Sequence, residues 1–241
     1  MTDYKLTADI LRNISYAMHS EEKSDLKLNW YPIIQRLGKV MNAYPNVNWL
    51  DVLSRGQLDS KIWLISKLEQ LDIELKTVFI CGGWYASLAL MMFNSKLNIG
   101  KIRSFDIDPS CVNIADTSNR DHVLDDWKFK AVTQDIHNIN YTGHTYTTHR
   151  ADGQARELYD VPDTFINTSC EHIENFADWY SKLPKGKLIC VQSNDYFSLP
   201  EHVNCSKNLS EFAKQTPMSE CLYEGVLDLI KYNRFMRIGI R

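Results

Sequence analysis

Apolar residues recur at helical spacing three times in the first 75 residues. Ile10, Leu11, Ile14 and Met18 mark a helix over Thr7 to Met18. Ile33, Ile34, Leu37 and Val40 mark a second over Trp30 to Met41, with Pro32 in its first turn, where a missing N–H is tolerated. Ile62, Trp63, Ile65, Leu68 and Leu71 mark a third from about Asp59, with Asp59 or Ser60 as its cap. From Thr77 the rhythm changes to short apolar runs alternating with helical ones. Strands are expected at Val78 to Cys81, Lys101 to Asp106, Trp127 to Thr133, Thr164 to Asn167 and Gly186 to Ser193. Helices are expected over Tyr85 to Ser95, Ser110 to Asn119 and Phe176 to Leu183. Two strand-like runs, Cys221 to Leu229 and Arg234 to Ile240, close the chain around Lys231, Tyr232 and Asn233. The polar stretch from Asn138 to Asp160 is too long for a tight connection, which leaves either a functional loop or a strand that the pattern hides.

Alternating strands and helices predict a mostly parallel sheet with helices on both faces. The closing pair adds an antiparallel hairpin. The expected fold is therefore α/β: a Rossmann-like, doubly wound sheet of about seven strands with a C-terminal antiparallel hairpin. An N-terminal helical cap spans residues 1–75 and the sheet domain 76–241. The cap either covers a sheet edge or forms a lid and substrate wall.

Composition changes this picture little. The 241 residues carry a net charge of -3 with both signs mixed, and no basic run marks a phosphate-backbone footprint. Duplex nucleic acid is not expected as a partner. No apolar run reaches membrane-spanning length, and MTDYKLTADIL lacks a signal-peptide pattern, so no membrane association and a cytoplasmic location are expected. Six scattered cysteines with no C-x-x-C pair fit a reducing compartment.

The candidate chemistry centres on TVFICGGWYASLALMM, Thr77 to Met92. A strand ends at a glycine turn, Gly82 and Gly83, and a helix follows; the next strand ends in an acid, Asp106 of FDIDP. Glycine lets the backbone approach a ligand closely, and an acid at that position accepts hydrogen bonds from ribose hydroxyls. This is the pattern of a nucleotide-binding half-site.

ICGGWYASLAL, then FDIDP, then DTFINTSCEHI, resembles the class I S-adenosylmethionine-dependent methyltransferases, over roughly Thr77 to Arg241. The family's turn has three spaced glycines; the aligned positions here are Gly82, Trp84 and Ala86, and the acid that commonly precedes the turn is replaced by Ile80 or Cys81. The resemblance implies S-adenosylmethionine as cofactor. It implies a binding set of Cys81, Gly82, Gly83, Trp84, Asp106, Ile107, Asp135, Ile136, Asn167 and Thr168. Within it Asp106 takes the ribose, Asp135 the adenine amine and Ile136 the ring. Trp84 and Tyr85 either wall the methionine side or pack against the cap.

The family lines its active site with the loop after the fourth strand, here Asn167 to His172. His172 as general base and Glu171 as its orienting partner are the catalytic candidates; the competing reading is that the pair caps and packs the next helix. Gln192, Asn194, Asp195 and Tyr196 form either a polar turn or a second substrate contact. His122, His137, His144, His149, His172 and His202, with Cys170 and Cys205, show no compact ligand spacing, so no metal is expected unless distant segments assemble one. No G-x-S-x-G elbow supports hydrolysis.

The expected reaction is direct in-line methyl transfer to a small molecule or protein side chain. The alternatives are an aminopropyl or aminocarboxypropyl transferase of the nicotianamine synthase type, and a cofactor-binding protein without turnover.

Overall fold

The structure is a computed structural model that describes residues 4–22, 26–149 and 153–241. Residues 1–3 and 23–25 of the expected cap and 150–152 of the polar stretch lie outside that description. Among the described residues four helices precede the sheet: α1 (Tyr4–Glu22), α2 (Trp30–Ala43), the single turn α3 (Trp49–Val52) and α4 (Arg55–Leu71). Then follow β1 (Leu75–Cys81), α5 (Ser87–Phe93), β2 (Ile99–Asp106), α6 (Ser110–Ser118), α7 (Arg120–Leu124) and β3 (Phe129–Thr133). The strands β4 (His144–His149) and β5 (Ala155–Asp160) form a separate antiparallel pair. The chain ends with β6 (Thr164–Asn167), α8 (Phe176–Lys182), β7 (Leu188–Asn194), α9 (Leu209–Gln215), β8 (Glu220–Leu229) and β9 (Tyr232–Ile240).

The main sheet has seven strands in the order β3-β2-β1-β6-β7-β9-β8. The first five are parallel, and β9 pairs antiparallel with both β7 and β8. Chain order reverses between β1 and β6, which opens a crevice at their C-terminal ends.

Side chains of β1 alternate between two cores. Val78 and Ile80 pack on one face with α1, α2, α4, α5 and α6. Phe79 and Cys81 pack on the other with Phe105, Phe165, Trp179 of α8 and Phe212 of α9. A strand buried on both sides reads as a continuous apolar run, which is why VFIC is legible as β1. The N-terminal helices share the first core with the sheet: Ile33, Leu37, Val40, Ile65 and Leu68 lie in it beside Val78 and Ile80.

Four differences from the sequence expectations have physical causes. The third strand starts at Phe129 instead of Trp127, because Asp126 and Trp127 turn the chain at φ 46° and 52°. The helix after β1 starts at Ser87, since Ala86 before it is left-handed at φ 53°. The polar stretch hides two strands. β4, HTYTTH, buries His144, Tyr146 and Thr148 and exposes the residues between, an alternation made of polar residue types. Asp160 of β5 anchors that pair by accepting from Arg103 Nε at 2.7 Å, Lys101 Nζ at 2.9 Å and Tyr146 Oη at 2.6 Å. Finally, α9 has no counterpart among the expected elements. Its signal is Asn208-x-x-Glu211, and the Asn208 side chain accepts from Glu211 N–H at 2.9 Å.

Candidate active site

A cleft of 1670 Å³ crosses the C-terminal ends of β1, β2, β6 and β7 and is walled on one side by α4. Its floor is the turn after β1. Gly82 is left-handed at φ +74°, as are Trp84 at 48° and Ala86 at 53°. These are the three positions where the family resemblance puts glycine, so the backbone keeps a glycine path through two residues that carry side chains. Gly83 is required for a different reason: a Cβ there would stand 1.9 Å from Ser104 Oγ and 3.2 Å from Ser104 Cβ. Gly83→Ala is therefore expected to cost about 1–3 kcal/mol of stability, with Ser104→Ala recovering part of it, as read from urea midpoints.

Asp106 ends β2 at the edge of this turn. Its Oδ2 accepts from Trp84 N–H at 2.7 Å and its Oδ1 from Asp108 N–H at 3.1 Å. A carboxylate has about four acceptor positions, so the group that fixes the turn keeps capacity for a ligand's hydroxyls. Ile107, 70% exposed, stands beside it on the cleft rim. Asp135 caps a short 3-10 turn, Ile136–Asn138, by accepting from His137 N–H at 2.8 Å, and Asp135 and Ile136 both line the cleft. Trp84 stacks on Tyr85 with ring centres 4.9 Å apart, and both pack against the core that includes the N-terminal helices.

On the other side of β1, the loop after β6 brings Thr168, Glu171 and His172 to the same cleft. Glu171 is buried; its Oε1 accepts from Asn194 Nδ2 at 2.7 Å and from an Arg234 guanidinium nitrogen at 3.0 Å. Arg234 also donates to Thr168 O at 2.7 Å, and the neighbouring Glu171 carboxylate holds its pKa above the usual value against the effect of burial. Two polar atoms of this pair, Glu171 Oε2 and Arg234 Nε, have no hydrogen-bond partner. His172 is exposed and its Nδ1 lies 3.1 Å from Glu201 O.

Two expected site residues do not reach the cleft. Cys81 is fully buried under the turn, 3.7 Å from the Tyr141 hydroxyl, and burial pushes its thiol up to about 12. Asn167 is fully buried, and its side chain accepts from Ser169 N–H at 2.8 Å, which shapes the loop that carries Glu171. Gln192 lies inside, donating to Ser60 O at 3.0 Å, and Asp195 accepts from Asn233 at 2.7 and 2.9 Å. Tyr196 reaches the cleft and stacks on Tyr232 at 5.4 Å.

Sequence spacing did not single out Lys61, Arg234 or His202, which also line the cleft. Lys61 has a buried side chain, and burial, with repulsion from Arg234, lowers its pKa to about 7. The unfolded chain binds this proton up to its ordinary pKa of 10.5, so deprotonation favours the folded state as pH rises from about 7. The buried thiols of Cys81 and Cys190 act the other way only above about pH 9. Denaturant stability is expected to rise between about pH 7 and 8.5, and Lys61→Met should flatten that rise. An unchanged slope in the variant would assign it to other groups.

The N-methyltransferase NodS from Bradyrhizobium japonicum WM9, in complex with S-adenosyl-L-homocysteine, matches with a TM-score of 0.52 at 9% identity, over 77% of this chain and 87% of NodS. A geranyl diphosphate methyltransferase, in complex with GPP and sinefungin, matches with a TM-score of 0.51 at 10% identity, over 79% of this chain and 82% of the other. The fold is that of the class I methyltransferases. No protein-family model matches the chain, and no curated protein matches it in sequence. At such low identity the likeness is one of fold. All six cysteines are free, and among the described residues no helix is long and apolar enough to cross a membrane.

Proposed function

We propose that this protein is an S-adenosylmethionine-dependent methyltransferase acting on a small molecule or a protein side chain. The observation that carries the reading is the convergence of the Gly82–Ala86 turn, Asp106, Asp135 and the Glu171–His172 loop on one cleft across the point where strand order reverses. The residues present fit the cofactor. The turn keeps its left-handed path, Gly83 leaves no Cβ over the floor, and Asp106 retains acceptor capacity for two ribose hydroxyls. Asp135 would take the adenine amine, with Ile107 and Ile136 against the ring.

The bound cofactor supplies a methyl group on a sulfonium, with its own leaving group. The chain's tasks are to align an acceptor in line, exclude water and accept a proton. β6 lies on the opposite side of β1 from β2, which supports a place for Glu171 and His172 at the methionine half of the site, away from adenine. The helical segment before β1 is proposed as the wall and lid of that end, with α4 as its inner face. Trp63 of α4 donates to the Tyr223 hydroxyl at 3.1 Å, which ties the lid to β8.

Asp106→Ala tests the assignment. Calorimetric affinity for S-adenosylmethionine should fall by roughly 1.5–3 kcal/mol, about ten- to 150-fold. Unchanged affinity in a folded variant would remove Asp106 from the ribose site.

A further inference from the structure

We propose that Glu171, His172 and His202 bind a divalent transition-metal ion, zinc by its donor set, at the acceptor end of the cleft. One ligand atom from each of these residues lies within 4.8 Å of the other two. The spacing along the chain conceals this. Glu171 and His172 follow β6, while His202 arrives on the loop after β7. The two loops are stitched together by Asn204, which donates from its backbone N–H to Glu171 O at 2.8 Å and from Nδ2 to Cys170 O at 3.2 Å.

Each of the three side chains is prepared for a cation. His172 Nδ1 lies 3.1 Å from Glu201 O, and His202 Nδ1 lies 2.7 Å from Tyr196 O. A carbonyl only accepts, so Nδ1 carries the proton in both rings and Nε2 keeps its lone pair. Donation from the second ring nitrogen to a backbone carbonyl is the usual support of a metal-binding histidine. Glu171 is 2% exposed, with Oε1 held by Asn194 and Arg234. Its Oε2 has no partner, and a buried carboxylate oxygen left unsatisfied is costly unless something occupies it.

Two imidazoles and one carboxylate suit Zn²⁺, and three protein ligands leave one position open toward the cleft. Bonds of roughly 2.0–2.1 Å put tetrahedral ligands about 3.3 Å apart, so the three side chains must draw in to hold an ion. The exposed His172 ring has room to do so. Arg234 opposes a cation, and Glu174 and Glu201 on the same stretch of cleft favour one. Cys205, whose Sγ lies 3.8 Å from His202 Nδ1, is not a ligand in this scheme: its thiol is engaged with Asn194 Oδ1 at 3.3 Å. An ion here would hold an acceptor hydroxyl and lower its pKa, its proton leaving to solvent before the new bond to carbon forms and the carbon–sulfur pair departs on sulfur. That role rests on the methyl-transfer reading; ion binding itself does not.

The test is calorimetric titration of the chelator-treated full chain with Zn²⁺, paralleled by Co²⁺ read through its visible absorption. The expected result is one ion per chain, with affinity at least about tenfold weaker in His202→Ala and in Glu171→Gln, and unchanged in His149→Ala. No saturable uptake by the parent, or uptake undiminished in both site variants, overturns the proposal. S-adenosylhomocysteine affinity is measured on the same samples. Its binding without Zn²⁺ uptake overturns the ion site and leaves the cofactor reading standing. Zn²⁺ uptake that is lost in the variants, in a chain that ignores S-adenosylhomocysteine, supports the ion site and refutes the cofactor reading.

Discussion

Replacing His172 with alanine is expected to lower turnover by about 100- to 10,000-fold while affinity for S-adenosylmethionine stays near that of the parent. The argument is positional. His172 lies after β6, across β1 from the strand that carries Asp106, and it lines the cleft at the end proposed for the acceptor. Its Nδ1 is spent on Glu201 O, which leaves Nε2 to accept a proton from the acceptor or to hold an ion beside it. The side chain is exposed, so its removal should change stability by no more than about 1 kcal/mol. Single-turnover kinetics with calorimetry on the same preparation separates the cases. Near-normal turnover in the variant would reduce His172 to a loop-packing residue.

Replacing Glu171 with alanine should act on the fold itself. Arg234 is buried, and Glu171 is the one acid the structure pairs with it among the described residues. Removing one partner of a buried pair leaves an uncompensated charge, which costs about 3–5 kcal/mol. For a chain of this size each kcal/mol is worth roughly 2–4 °C in Tm, so the loss should be plain in a thermal scan. Glu171→Leu combined with Arg234→Met should recover most of it, since an apolar pair of similar volume needs no compensation. A loss below about 1 kcal/mol in Glu171→Ala would mean that water already reaches the Arg234 guanidinium.

The parts of this molecule legible in its sequence are those where one residue type has one physical use. VFIC reads as a strand because both its faces are buried, Gly82 and Gly83 mark a turn, and the acid that closes SFD, Asp106, marks a strand end. The closing hairpin reads from its two apolar runs. The β4–β5 pair does not read, because Tyr146 and Thr148 fill inward positions with polar types, and the Tyr146 hydroxyl finds its partner, Asp160, only after folding. Lys61 and Arg234 were illegible for a related reason. Each is an ordinary charged residue until α4 and β9 bury it at the cleft. His202 lies thirty positions beyond His172, so no spacing rule finds it. The reverse holds for Cys81 and Asn167. Their places in the motif are legible, yet burial keeps their side chains from the cleft.

A structure of the complex with S-adenosylhomocysteine tests the central claim most directly. The account predicts ribose hydroxyls on the Asp106 carboxylate, adenine between Ile107 and Ile136 with its amine toward Asp135, and the sulfur facing Glu171 and His172. A ligand bound elsewhere, or one whose sulfur points toward Asp135 and away from the Glu171–His172 loop, would contradict it.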